Sequence, residues 1–82
     1  SSEIKIYPVT SATRGIVNIE ITNFTDNDEC NIQVYNICGK LLFNQKSLQA
    51  RQQLDLSSYS KGIYLISVKT KQSLTTCKYI ID

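Results

Sequence analysis

The chain has 82 residues, a formal net charge of +2, no histidine and a hydrophobic fraction of 41%. That length holds a single domain over residues 1–82, with a small core and a net stability of about 5 kcal/mol. The composition is that of a soluble globular domain: no tract is long enough to cross a bilayer, and the missing imidazole excludes Ser-His and Cys-His catalysis.

Ile4-Lys5-Ile6-Tyr7-Pro8 alternates and stops at the only proline, which suits an edge strand, where the missing donor is tolerated. Val9 to Arg14 is a polar connection closed by Gly15. Ile16 to Ile21 is the cleanest half-buried strand, with Val17, Ile19 and Ile21 inward and Asn18 and Glu20 outward. Asn23 to Glu29 is a loop in which Asp26-Asn27-Asp28 favours local side-chain to backbone bonds. Cys30 to Tyr35 is a third strand, with Cys30, Ile32 and Val34 on its core face. Asn36-Ile37-Cys38-Gly39 turns the chain into a fourth strand, Lys40 to Gln45, making a hairpin. Leu41, Leu42 and Phe43 are all apolar, so alternation does not say which of them is buried.

Gln53 to Leu56 is a short fifth strand, and Ser57 to Ser60 has turn composition with room for one 3₁₀ turn. Ser60 to Thr70 carries the densest apolar run and enters it through Lys61-Gly62. Tyr64, Ile66 and Val68 share one face at period two, and Ile63 and Leu65 make the other face partly apolar, so this strand is expected to be central. Thr70 to Ser73 is a tight turn, and Leu74 to Ile81 is the last strand. Seven short strands with regular turn signals predict an all-β antiparallel sandwich that buries Val17, Ile19, Ile32, Val34, Leu54, Leu56, Tyr64, Ile66 and Val68. Tyr64 needs a partner for its hydroxyl.

Charge is unevenly spread. Residues 1–39 hold Lys5 and Arg14 against Glu3, Glu20, Asp26, Asp28 and Glu29, a balance of −3. Residues 40–82 hold Lys40, Lys46, Arg51, Lys61, Lys69, Lys71 and Lys78 against Asp55 and Asp82, a balance of +5. A mixed-sign solvated surface is the plain reading, and a basic face meeting an anionic partner the sharper one. Nucleic acid is not expected, because the basic residues are neither dense nor interleaved with aromatics.

Of Cys30, Cys38 and Cys77, at most one pair can bridge within the chain, and zinc-type spacing is missing. Cys30 and Cys77 read as small buried hydrophobes, and Cys38, beside Gly39 in a turn, as the exposed thiol open to oxidation or a dimer contact. Asp26, Asp28 and Glu29 lack the spaced ligands of a calcium loop, and Gly15, Gly39 and Gly62 belong to no phosphate cradle. Asn23-Phe24-Thr25 matches a glycosylation triplet that is common by chance. The residues point away from an enzyme and from any cofactor, toward a binding, anchoring or signalling module.

Three segments then carry a resemblance. They are Ile6-Tyr7-Pro8 followed by Gly15 to Ile19; Val34-Tyr35-Asn36-Ile37-Cys38-Gly39-Lys40-Leu41-Leu42; and Leu54 to Ile66 ending in Lys78-Tyr79-Ile80-Ile81. In this order the chain resembles the C-terminal sorting domain of the type IX secretion system of Bacteroidota. One departure stands out: family members usually show Tyr-Pro-Asn-Pro at the first strand, and here Val9 and Thr10 follow Pro8. The resemblance implies a seven-stranded immunoglobulin-like antiparallel β-sandwich, a fragment of a larger secreted protein whose signal peptide lies elsewhere. It implies an address read by the outer-membrane translocon, with a periplasmic stage and then the cell surface or extracellular space as destination. A sortase-like peptidase that removes the domain and joins the cargo to anionic lipopolysaccharide is a further implied partner, so association with the outer membrane is indirect. By position, Lys61, Gly62, Tyr64, Lys69, Lys78, Ile80 and Ile81 are the implied recognition residues, and Gly39-Lys40 the motif turn. Two other readings are open: a carbohydrate-binding sandwich using Tyr7, Tyr35 and Tyr59, and a homodimer formed through an edge strand or Cys38.

Overall fold

Period-two alternation dictates the strands, and the computed structural model, which describes residues 3–8 and 15–82, bears this out. Its seven strands among the described residues are β1 (Ile4–Pro8), β2 (Ile16–Ile21), β3 (Cys30–Asn36), β4 (Leu41–Ser47), β5 (Arg51–Asp55), β6 (Gly62–Lys69) and β7 (Leu74–Ile81), with no helix. The connection expected over Val9 to Arg14, and with it the departure after Pro8, lies outside the described residues.

The strands form two antiparallel sheets, β1-β2-β5 and β4-β3-β6-β7. The fourth strand pairs with the third, and the chain crosses between sheets after β2, β4 and β5 in the manner of an immunoglobulin-like sandwich. β1 is an edge strand and β6 is central, as expected from Pro8 and from the two apolar faces of β6. Ile19, Val34, Ile66 and Val68 are completely buried between the sheets, and all nine expected core residues are buried with them. Ile4, Ile21, Cys30 and Ile81 complete the core. Cys77 is only half-buried, because β7 is an edge strand whose inward face the three-stranded sheet covers incompletely.

The fourth strand departs from simple alternation. Val34 pairs with Phe43 but Tyr35 pairs with Leu41, a β-bulge that leaves Leu42 as the extra residue. Phe43 packs against the core, Leu41 is exposed, and Leu42 lines an open cleft with Asn36, Tyr59 and Tyr64. The fifth strand also starts earlier than expected, because Arg51 and Gln52 pair with Glu20 and Ile19.

Two local devices fix the corners. Gly15 has φ +88°, and its carbonyl accepts a 2.7 Å bond from the Leu56 amide. A Cβ there would stand 2.7 Å from the Ser57 backbone, so glycine is required twice over. In the β5–β6 corner, residues 56–59 form a single turn closed by Tyr59 N–H donating to the Leu56 carbonyl. Tyr64 reaches back over it, and its hydroxyl donates to the Ser60 carbonyl at 2.6 Å. This tyrosine corner is the partner that the buried phenol needs.

Candidate docking surface on the four-stranded sheet

Alternation divides the β6–β7 hairpin cleanly. Tyr64, Ile66, Val68 and Ile81 are buried, whereas Ile63, Leu65, Lys69, Leu74, Lys78 and Ile80 are exposed. Leu65 pairs with Lys78 and Ile63 with Ile80, so these four share the outer face. Tyr35 pairs with Leu65 on one side and Leu41 on the other, which extends that face across all four strands. The hairpin is closed by Thr70, whose amide donates to the Ser73 carbonyl at 2.8 Å and whose Oγ1 accepts from the Gln72 and Ser73 amides.

The β3–β4 turn stands at the same end of the sheet, since Asn36 pairs with Tyr64. Asn36 organises it: its Oδ1 accepts from the Cys38 and Lys40 amides at 3.0 and 2.9 Å. Backbone bonds link Asn36 N–H to the Lys40 carbonyl and Gly39 N–H to the Asn36 carbonyl. The loop proper is thus Ile37-Cys38-Gly39, with Gly39 at φ +87°.

The implied recognition residues separate into three groups. Lys61, Gly62 and Ile80 stand with Gly39 and Lys40 at one end, where Gly62 pairs with Ile81, and Lys78 is further in, opposite Leu65. Tyr64 and Ile81 are core residues whose side chains shape this end from within. Lys69 is at the opposite end of β6, about 23 Å away at ~3.3 Å per residue. Ile63, Leu65 and Leu41 were not singled out as site residues, and Tyr35 only as a sugar-stacking candidate, although the extra apolar positions in the sequence were the available signal.

Electrostatics follow the sheets. None of β3, β4, β6 and β7 contains an aspartate or glutamate, and their lysines, Lys46, Lys69 and Lys78, are all exposed. The three-stranded sheet is mixed: Lys5, Glu20 and Arg51 are register neighbours on its outer face, and Arg51 meets Glu20 at 3.6 Å. Tyr7 lies on that face, and partial desolvation of its exposed phenol, with Glu20 alongside, raises its pKa. Asp55 accepts from Ser57 Oγ at 2.6 Å and from Ser57 N–H at 2.9 Å, and these two bonds hold its carboxyl below the usual value. Burial pushes the Cys30 and Cys77 thiols up, whereas Cys38 is exposed at the turn and all three are free. Asp28 clasps its own loop, accepting from Thr25 N–H and Oγ1. Tyr7, Tyr35 and Tyr59 lie on the small sheet, the large sheet and the β5–β6 corner respectively, so they form no joint stacking platform.

Residues 5–82 match the family model described as the secretion system C-terminal sorting domain. The chain belongs to this type IX sorting-domain family. No curated protein matches the chain. Membership ties the sorting domain to type IX secretion and to export to the cell surface or extracellular space. The motif positions inside the match, Gly39-Lys40 and Lys61-Gly62, are brought to the same end of the sandwich although 20 residues lie between Lys40 and Lys61.

Proposed function

We propose that the sorting domain is an address without chemistry of its own, read by the type IX outer-membrane translocon after a periplasmic stage. The family match over residues 5–82 carries this reading. The end built by Lys61, Gly62, Ile80, Gly39 and Lys40, with Lys78 further along β7, supports it as the presented element, while Tyr64 and Ile81 hold that end in shape from the core. Lys69 lies outside this end, at the far end of β6. Removal by a sortase-like peptidase, with transfer of the cargo to anionic lipopolysaccharide, belongs to the same proposal, and so does a larger secreted cargo joined to the domain.

A periplasmic reporter fused to the domain tests this reading. The fusion is expected to become accessible to external protease in cells with a working type IX system, and processing is expected to reduce the mass of the displayed reporter by that of the domain. Deleting residues 61–82 removes central strand β6 and therefore destroys the fold, so it does not separate reading from folding. The informative variants are on the surface: Lys61→Glu with Lys78→Glu is expected to leave the melting temperature unchanged and reduce display. Full display by the folded double variant would refute the role given to this end.

A further inference from the structure

We propose that the outer face of the four-stranded sheet, not a strand edge, is the surface that docks, and that its partner is a protein surface with an apolar centre bordered by carboxylates. The proposal deepens the export-address reading and rests on it.

The centre of the face is Tyr35, Leu41, Ile63, Leu65 and Ile80, with Lys78 beside Leu65. Ile80 is 55% exposed and Leu41 44%, whereas the outer face of the three-stranded sheet presents Tyr7 as its one large exposed ring among Lys5, Glu20, Arg51, Asn18 and Gln53. Contiguous exposed apolar residues bordered by polar ones mark interaction surfaces. The face contains no carboxylate: acidic residues flank the strands only at Glu29 and Asp82. Its lysines Lys46, Lys69 and Lys78 make no ion pair among the described residues, whereas the ion pairs Lys5–Glu3 and Arg51–Glu20 belong to the other sheet. A mostly basic border around an apolar centre, with carboxylates only at the strand ends, favours an acidic border on the partner.

The same features decide among occupants. A second copy would answer these lysines only with Glu29 and Asp82 at the strand ends, so a symmetric dimer through this face is disfavoured. A bilayer surface answers the charge but not the shape. Membrane-seeking elements bury apolar side chains about 5–10 Å into the lipid boundary, and here Ile63 and Leu65, at the centre of the face, are only 36% and 38% exposed. A half-covered apolar face matches another protein surface.

The test uses the reporter fusion and the purified chain side by side. Lys78→Glu and the pair Leu65→Asp with Ile80→Asp are expected to lower surface display at least tenfold, while Lys78→Arg retains it. Lys5→Glu and Arg51→Glu, on the opposite face, are expected to display normally. Each purified variant is melted first, and only those within about 2 °C of the parent are scored. Normal display by the folded face variants, with the parent exported, overturns the inference and leaves the export reading intact. Failure of the parent fusion to be exported overturns the export reading itself. In the second arm the purified chain is spun with vesicles of 30% phosphatidylglycerol and sized by light scattering. It is expected to stay in the supernatant as a monomer. Sedimentation lost in Lys78→Glu would assign the face to lipid, and a dimer lost in the aspartate pair would assign it to self-association. Either result would overturn the protein partner.

Discussion

At the residue scale, the glycines separate two kinds of constraint. Gly15 is held by φ and by space, since its Cβ would meet Ser57 backbone that cannot swing away. Gly39 is held by φ alone, with nothing within 4 Å of a Cβ. Gly39→Ala is therefore expected to cost about 1–2 kcal/mol, and Gly15→Ala clearly more, in urea unfolding. Both glycines were legible as strand boundaries, but the reason Gly15 is irreplaceable lies 42 residues away at Ser57, beyond any local pattern. Tyr64 illustrates the reverse. Its need for a hydroxyl partner was readable from chemistry, and Tyr64→Phe, which removes the bond to Ser60, is expected to cost about 1 kcal/mol. Asp55 gives a pH signature. Its folded pKa is depressed by Ser57, so its contribution is complete above the unfolded value of about 4 and is lost as pH falls through the lower folded value. Asp55→Asn is expected to lower the melting temperature at neutral pH and flatten its fall in acid. An acid limb identical in both proteins would remove Asp55 from the account.

At the scale of the element, alternation was a sufficient guide wherever one face of a strand is buried and the other wet. β2 and β6 have that character, and their inward residues were readable without coordinates. It fails at β4, where three consecutive apolar residues meet a bulge and the extra residue, Leu42, follows neither face. It also shortens β5, because Arg51 and Gln52 look like loop residues until β2 is supplied as their partner. β6 offers a sharp contrast between its faces. Ile66→Ala empties a fully buried site and is expected to cost about 2–5 kcal/mol, whereas Leu65→Ala on the outward face should change stability by about 0.5 kcal/mol or less. Chemical denaturation of the two variants checks this. Equal losses would mean that the outer face is packed and unavailable for docking.

For the whole molecule, the decisive organisation is the sorting of charge between sheets. The sequence displays a more acidic first half and a basic second half, and that asymmetry was readable by counting. What counting hides is that the fold gathers the carboxylate-free strands β3, β4, β6 and β7 into one sheet, whose outer face then carries lysines and aliphatic residues together. Pairing β3 with β6 is what joins the Gly39-Lys40 and Lys61-Gly62 segments. Neither is contiguous with the other, so the candidate site was legible as pieces and not as a place. The family resemblance was legible from the same pieces, because they recur in a fixed order along the chain. The thiols report on the whole fold as well: with a thiol reagent at pH 8, Cys38 is expected to label first and Cys30, sealed in the core, only on global unfolding. Cys30 labelling as fast as Cys38 would mean that the sandwich is open.

The most direct measurement of the central claim compares one reporter–domain fusion in two strains that differ only in the type IX translocon. External protease should digest the reporter on intact cells that have the translocon and leave it protected in those that lack it. Digestion in both strains, or protection in both while the fusion is folded and present in the periplasm, would contradict the account.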